Sequence, residues 1–193
     1  MSKDIWLPWV QKLGDTESIS SILLTDAFLD SPASINYHHA YPGGLAQHTM
    51  GVLGWAFCIS KDICIDKKSL ARVCLLHDVC KIGLYKKILK WRKDEQGKWE
   101  SYSGYEHAKL DLPVGHGELS VIKCLQAGIK LTDEEILAIR WHMGAYDVSH
   151  DGMKSLGDAC DKSLLVPILQ SADLFDAHHP STCIDLAAIV DSL

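Results

Sequence analysis

Several side chains that could hold a divalent metal ion recur through the middle of the sequence, each on or beside a stretch typical of a helix. They are His48, His77, Asp78, His116, His142 and Asp173. Imidazole nitrogens and carboxylate oxygens together are suitable ligands for iron, cobalt, manganese or zinc. The adjacent pair His77 and Asp78 follows an apolar run at 73–76, where a carboxylate is costly to bury unless it is paired or bound to metal. This pair therefore predicts a metal centre more strongly than any single histidine does.

Each of these residues has an ordinary structural interpretation when it is taken alone. A histidine on an apolar helix, such as His116 or His142, is commonly a core residue held by a hydrogen bond. Asp173 by itself would be interpreted as an acid on the surface of a helix. The prediction of a metal centre therefore depends on the ordered set.

The spacing of apolar residues predicts a mostly helical domain to carry this set. Helices are expected at about 16–29, 45–60, 68–80, 116–127, 133–143 and 165–177. The helix at 133–143 has the clearest start, because Thr132 and Glu135 form a capping-box pattern. Between 86 and 105, two segments rich in Trp and Tyr flank the turn sequence Asp94-Glu-Gln-Gly97, which favours a β-hairpin. The predicted fold class is mostly α, with a small hairpin insertion.

The composition fits a single domain over residues 1–193. The formal net charge of −6 argues against a non-specific nucleic-acid binder, although bound cations could still offset the charge of a phosphate substrate. The seven cysteines include no CxxC pair, the first residues form no apolar signal segment, and no apolar run is long enough to span a membrane. We expect a reduced, cytoplasmic protein without membrane contact, and an oligomer is compatible with the sequence.

Five local motifs give the ordered set a resemblance to a known superfamily. They are GGLAQHTMGV at 43–52, CLLHDVCKIG at 74–83, GHGELSV at 115–121, AIRWHMGAYD at 138–147 and LQSADLFDA at 169–177. In this order they resemble the motifs of the HD superfamily of metal-dependent hydrolases, and the resemblance spans about residues 38–177. One position departs from the hallmark HDxGK segment, because Cys80 stands where glycine is usual.

The resemblance implies an HD-domain helical bundle with the metal in a central cleft. The residues that correspond to the ligands of the basic site are His48, His77, Asp78 and Asp173. His116 and His142 correspond to the ligands of a second ion in some members and to phosphate contacts in others. The expected cofactor is therefore one or two divalent ions, with Co, Mg, Mn and Fe as candidates.

Metal-assisted hydrolysis of a phosphate ester is the chemistry that the resemblance implies. The candidate catalytic residues are Asp78, Lys81, His116, Glu118 and His142. Lys81 could neutralise a phosphate oxygen, although a lysine at a helix end is also favoured by the helix dipole alone. Glu118 could act as a base or could orient a nearby histidine.

Substrate contacts are expected from two further segments. His38 and His39 precede the Gly43-Gly44 turn and could help to protonate a leaving group, or could be ordinary loop residues. Lys90 and Arg92 lie beside Trp and Tyr residues in the expected hairpin, and cations next to aromatic rings suit a ligand with phosphates and a flat base. The alternative is an exposed hairpin whose aromatic residues pack on the helices. A small-molecule nucleotide is the expected substrate.

The chain is most similar in size to the compact, stand-alone bacterial HD phosphohydrolases. A deoxyadenosine-like nucleoside triphosphate or a nucleoside-antibiotic precursor is therefore the expected substrate class. Three other functions stay open at this point. An HD-type phosphodiesterase would cleave cyclic nucleotides or RNA ends, and an HD-type di-iron oxygenase would activate oxygen. The third is a nucleotide-binding module without catalysis, which ranks last because all six candidate ligands are present.

Overall fold

Helices dominate the part of the chain that the structure, a computed structural model, describes, namely residues 2–147, 152–180 and 186–193. The helices are α1 (Lys3–Leu13), α2 (Thr16–Leu23), α3 (Asp26–Asp30), α4 (Gly44–Ile59), α5 (Lys67–Leu76), α6 (His116–Gln126), α7 (Asp133–Trp141), α8 (Met153–Lys162), α9 (Leu165–His178) and α10 (Leu186–Asp191). The strands β1 (Tyr85–Lys93) and β2 (Trp99–His107) form one hairpin, and short 3-10 helices cover Val79–Lys81 and Gly144–Asp147. The predicted mostly helical fold with a hairpin is confirmed. None of the described helices is long and apolar enough to cross a membrane.

Helix α5 lies at the centre of the core. Residues 70–76 are all buried, and α5 packs against α4, α7 and α9 as well as α1. A helix that is apolar on nearly every side is stable only inside a protein, because each exposed face would leave hydrocarbon in water. The end of α5 therefore brings the residues that follow it, His77 and Asp78, into the interior.

The N-terminal region differs from the prediction of one helix at 16–29. Helix α2 ends at Leu23, and α3 begins after Thr25. The Thr25 hydroxyl donates to the carbonyl of Ile22 at 2.8 Å and accepts from the backbone N–H of Phe28 at 3.1 Å. A threonine that caps a new helix competes with continuation of the preceding helix. Here Thr25 caps α3, and the single predicted helix is divided into α2 and α3.

Two helices that carry candidate ligands end earlier than predicted. Helix α5 ends at Leu76 instead of residue 80, and α7 ends at Trp141 instead of residue 143. The next residue in each case is a buried histidine, His77 or His142. Both ligands therefore stand at helix C-termini, where the chain turns and the ring can face inward. Helix α8 is absent from the prediction. Helix α1 contributes the buried side chains of Trp6 and Trp9 to the core.

The hairpin is confirmed and is longer than its predicted strands. Trp91 lies opposite Ser101 in the antiparallel register, and the turn is closed by Asp94, whose side chain accepts from the backbone N–H groups of Gln96 and Lys98 at 2.9 Å each. Gly97 in this turn has φ +80°, which glycine adopts without strain. Most of the hairpin is exposed, although Tyr105 is buried.

No disulfide joins the six cysteines in the described ranges, as the sequence predicts. Cys183 lies outside those ranges. Within 186–193 the chain forms α10.

A buried arginine ties α5 to three neighbouring segments. Arg72 donates from Nε to Glu135 at 2.8 Å and from Nη1 to the carbonyl of Leu13 at 3.0 Å. Its Nη2 donates to the carbonyl of Lys130 at 2.6 Å and lies 3.3 Å from Asp15. Glu135 also closes the predicted capping box at the start of α7, where its other oxygen accepts from the Thr132 backbone. Arg72 thus fixes the orientation of the helix that ends at His77.

Replacing Arg72 with alanine is expected to destabilise the fold strongly. The change would leave the carboxylate of Glu135 buried without its cation, and breaking a buried pair in this way costs about 3–5 kcal/mol. Urea unfolding followed by circular dichroism measures the free energy of unfolding. The control is Arg92→Ala, because Arg92 pairs with Glu100 on the exposed hairpin and should lose less than about 1 kcal/mol. Equal losses in the two variants would contradict this account of Arg72.

Candidate metal centre

Three buried imidazoles converge below the surface of the helical body. His48 comes from the middle of α4, His77 follows α5 and His142 follows α7, and at most 2 % of each is exposed. The Nε2 atom of each ring is buried; that of His48 lies 3.0 Å from an oxygen of Asp173, and those of His77 and His142 make no hydrogen bond within the described part of the chain. A buried polar atom without a partner costs about 1–3 kcal/mol, so two in one place require an explanation.

The opposite nitrogen of each ring is held firmly. Nδ1 of His77 donates to the carbonyl of Cys74 at 2.7 Å, and Nδ1 of His142 donates to the carbonyl of Ile139 at 2.7 Å. Nδ1 of His48 donates to the Asp176 carboxylate, also at 2.7 Å. These bonds place a proton on Nδ1 of each ring and direct Nε2 toward the other imidazoles, which is the usual orientation of metal-binding histidines.

The carboxylate of Asp78 lies between two groups of imidazoles. Its Oδ2 is 3.5 Å from Nε2 of His48 and 3.4 Å from Nε2 of His77. Its Oδ1 is 2.7 Å from Nε2 of His116 and 3.5 Å from Nε2 of His142. One oxygen therefore faces each group, so the same carboxylate could serve one ion with Oδ2 and a second ion with Oδ1.

The distances between these atoms suit ligands of a common ion. With metal–ligand bonds of about 2.0–2.1 Å, two ligand atoms are about 3.0 Å apart in an octahedral site and about 3.4 Å apart in a tetrahedral one. Oδ1 of Asp173 is 3.0 Å from Nε2 of His48, which falls in the same range as the contacts of Asp78 Oδ2. The four predicted ligands of the basic site are thus brought together. His48, His77 and Asp78 form a buried group that could hold a metal ion.

A second group capable of holding an ion consists of Asp78, Cys80 and His116. A third, His39, His48 and Asp176, has the composition of a metal site but is already joined by hydrogen bonds of 2.7 and 3.0 Å. We therefore assign the third group to support of His48 and not to metal binding.

The buried aspartates dominate the electrostatics of the site. Burial alone would lower the pKa of His48, but Asp173 and Asp176 outweigh it and raise that pKa to about 9. Burial likewise opposes the charge on His116, and the hydrogen bond to Asp78 raises the pKa of His116 to about 9. Protons on these rings offset the aspartates at neutral pH, and a metal ion would have to displace them. Metal binding should therefore release protons and weaken as the pH falls.

Asp176 is a residue of the candidate site that the sequence prediction missed. One of its oxygens accepts from His48 Nδ1 and from His39, whose other ring nitrogen contacts the Tyr41 hydroxyl at 2.8 Å. A Cβ on Gly51 would lie 1.8 Å from Asp176 Oδ1, so only glycine lets α9 bring this carboxylate so close to α4. The missed signal was the three-residue spacing from Asp173, which places both acids on one face of a helix.

A cleft of about 760 Å³ opens over the site. Lys81, His116, His142 and Asp173 line it near the centre of the imidazole cluster. Its walls include three tyrosines, Tyr37, Tyr85 and Tyr146. Volumes of this order are typical of pockets for small molecules.

His38 and Lys81 lie at this cleft, as predicted. Burial and the nearby charges of His48 and Lys81 lower the pKa of His38 to about 4, so its imidazole is neutral at pH 7. Nζ of Lys81 is 2.5 Å from Asp78 Oδ2. Burial opposes the charge of Lys81, but Asp78 and Asp173 raise its pKa and keep the ammonium protonated.

Four other predicted residues lie elsewhere. His39 lies behind His48 and does not line the cleft, so it has a supporting position and not the expected contact with substrate. Glu118 pairs with Arg140 at 2.6 Å and makes no hydrogen bond to His116 within the described ranges. Lys90 and Arg92 are on the exposed hairpin, where Arg92 pairs with Glu100 and stacks on Tyr102, and neither lines the cleft. The structure does not bring Glu118, Lys90 or Arg92 together with the imidazoles.

Comparison of the chain with protein-family models, with curated proteins and with solved structures found no match.

Asp176→Asn is expected to weaken metal binding about 10–100-fold, because loss of the carboxylate beneath a ligating histidine reduces the basicity of the ring and its orientation. Isothermal titration of the metal-free protein with Co²⁺ or Mn²⁺ measures the dissociation constant. Asp62→Asn is the matched control, since this carboxylate is on the surface with 87 % of its side chain exposed. An unchanged constant in Asp176→Asn, with the fold intact by circular dichroism, would show that His48 is not a ligand supported in this way.

Proposed function

We propose that this protein is a metal-dependent phosphohydrolase of the HD superfamily that removes phosphate from a nucleotide. The observation that carries the proposal is the convergence of the buried Nε2 atoms of His48, His77 and His142 on the two oxygens of Asp78. This ligand set occurs in the chain order of the HD motifs. The groups are suited to a divalent transition metal, and Co, Mn, Fe and Mg are the ions to test first.

A divalent ion held by His48, His77, Asp78 and Asp173 would supply an activated water molecule and polarise a phosphoryl oxygen. Of these four residues, Asp173 lines the cleft, next to Lys81, His116 and His142, so the candidate metal centre adjoins the cleft.

Lys81 supplies the fixed positive charge at this point of the cleft. Its ammonium is buried against Asp78 and remains protonated, so it can form a charge-assisted hydrogen bond to a phosphate oxygen. His116 is 22 % exposed at the side chain and also lines the cleft, so it can contact phosphate or a second ion. His38 carries a buried Nε2 without a hydrogen bond in the described ranges, and as a neutral imidazole it can accept a proton or a hydrogen bond from substrate.

The walls of the cleft favour a substrate with a flat base. Tyr37 and Tyr146 are 85 % and 87 % exposed at the cleft, so their rings are available for stacking. A deoxyadenosine-like nucleoside triphosphate is the first substrate class to test, with a nucleoside-antibiotic precursor as its variant. We place the enzyme in the reducing cytoplasm, in keeping with its unpaired cysteines in the described ranges.

Phosphate release from a panel of nucleotides tests the proposal. Metal-free protein is refilled with Mg, Mn, Fe, Co, Ni or Zn and given nucleoside mono-, di- and triphosphates, cyclic nucleotides and dinucleotides. Release from a deoxynucleotide is expected, and Asp78→Ala should lower the rate at least about 100-fold because it removes the carboxylate shared by the imidazoles. Asp62→Ala, an exposed carboxylate, is expected to retain full activity.

The other outcomes would overturn the proposal in distinct ways. Cleavage confined to cyclic nucleotides or dinucleotides would make the protein a phosphodiesterase. No phosphate release from any nucleotide, together with two tightly bound iron ions and oxygen consumption, would make the protein an oxygenase. Nucleotide binding without turnover under any metal would leave a binding module.

A further inference from the structure

Cys80 occupies a position beside the metal centre that the proposed phosphohydrolase chemistry does not use. It lies in the short 3-10 helix after Asp78 and is completely buried. Its sulfur is 3.4 Å from Nδ1 and 3.5 Å from Nε2 of His116. In the motif that this segment resembles, the position is usually glycine, which has no side chain to place there.

The backbone of Cys80 is held against α6 on both sides. Its N–H donates to the hydroxyl of Ser120 at 3.2 Å, and its carbonyl accepts from Nζ of Lys123 at 3.2 Å. Ser120 and Lys123 are on the same helix that begins with His116. The backbone of Cys80 is therefore fixed relative to His116 by two hydrogen bonds to the helix that carries this histidine.

The surroundings of the sulfur are those of a metal ligand. Asp78, Cys80 and His116 each offer one ligand atom, and these atoms lie within 4.8 Å of one another. With a metal–sulfur bond of about 2.3 Å and a metal–nitrogen bond of about 2.0–2.1 Å, two ligands of a tetrahedral ion are about 3.6 Å apart. Cys80 Sγ lies 3.5 Å from Nε2 of His116 and 3.4 Å from Nδ1, so the sulfur faces the ring and must rotate toward the Nε2 side to share an ion with it.

An independent observation points to a ligand at the same place. Nε2 of His142 is buried, has no hydrogen bond within the described part of the chain, and lies 3.5 Å from the Asp78 oxygen that also contacts His116. The rings of His116 and His142 are 5.2 Å apart between centroids. An unpaired nitrogen of His142 and the ring of His116 thus both face Oδ1 of Asp78, and the Cys80 thiol lies beside His116.

We propose that Cys80 is a thiolate ligand of a second metal ion, held together with Asp78 Oδ1, His116 and His142. The inference rests on the proposed function only in requiring that the first ion occupy the Oδ2 side of Asp78. On coordination, the Cys80 thiol releases its proton to solvent and the sulfur donates a lone pair to the metal. A sulfur ligand makes this second position selective for Zn²⁺, Co²⁺ or Fe²⁺ over Mg²⁺, which prefers oxygen.

The competing interpretation is that the thiol only forms a hydrogen bond to His116. The variant Cys80→Ser distinguishes the two interpretations. Its hydroxyl can still form a hydrogen bond to the His116 ring, but it lacks the sulfur ligand. Cys58 and Cys64 are exposed and could bind cobalt adventitiously, so the double variant Cys58→Ser/Cys64→Ser is the matched control.

The test is titration of metal-free protein with Co²⁺, followed by near-ultraviolet absorption, where sulfur-to-cobalt charge transfer appears, and by calorimetry. We expect two equivalents to bind, with the charge-transfer band appearing with the second. Cys80→Ser should abolish the band and weaken the second equivalent by more than about tenfold, since a direct ligand contributes at least as much as a supporting residue. The first equivalent should bind with unchanged affinity, and the Cys58→Ser/Cys64→Ser variant should keep the band.

Two results would overturn the inference without touching the proposed function. One is binding of two ions without a charge-transfer band, with equal affinities in Cys80→Ser. The other is a single bound ion and no band, in a protein that still releases phosphate. Failure of the wild-type chain to bind any cobalt would overturn both the inference and the metal-dependent function.

Discussion

Burial of the Asp78 carboxylate is the constraint on which the rest of the site depends. Only 2 % of its side chain is exposed, and an ionised carboxylate in such a place requires positive partners or a metal ion. Four imidazoles and one ammonium surround it, and these groups hold the pKa of Asp78 well below its usual value although burial would raise it. Several of those imidazole nitrogens are buried without a hydrogen bond in the described ranges, and the group that they form with Asp78 could hold a metal ion.

The helices place these groups by where they end as much as by what they bury. His77 and His142 each follow the last residue of a helix, and each ring donates backwards to the carbonyl three residues earlier. The same bond that satisfies a free carbonyl at the helix end also fixes the ring with Nε2 facing inward. The hydrogen bond that ends each helix therefore also orients the candidate ligand. Arg72 in the core holds α5, which carries His77 at its end, against α7.

Much of this could be predicted from the sequence, because apolar periodicity and the order of the histidine and aspartate motifs are local signals. They located α4, α6, α7 and α9 closely and named the residues that meet at the site. The errors have tertiary causes. His38 and His39 are neighbours in the chain, but only His38 faces the cleft, while Glu118 turns to Arg140. Which way a side chain points depends on partners distant in sequence, and the spacing of Asp176 from Asp173 gives a shared helix face without showing that Asp176 contacts His48.

The most direct test of the metal centre is the location of a bound ion. Crystals of the protein grown with Co²⁺ or Mn²⁺ and measured at the absorption edge of the metal give anomalous difference maps. The account predicts a peak bounded by Nε2 of His48 and His77 and by the carboxylates of Asp78 and Asp173. The same imidazoles in place around an ion-free Asp78, or an ion bound elsewhere on the chain, would contradict the central claim.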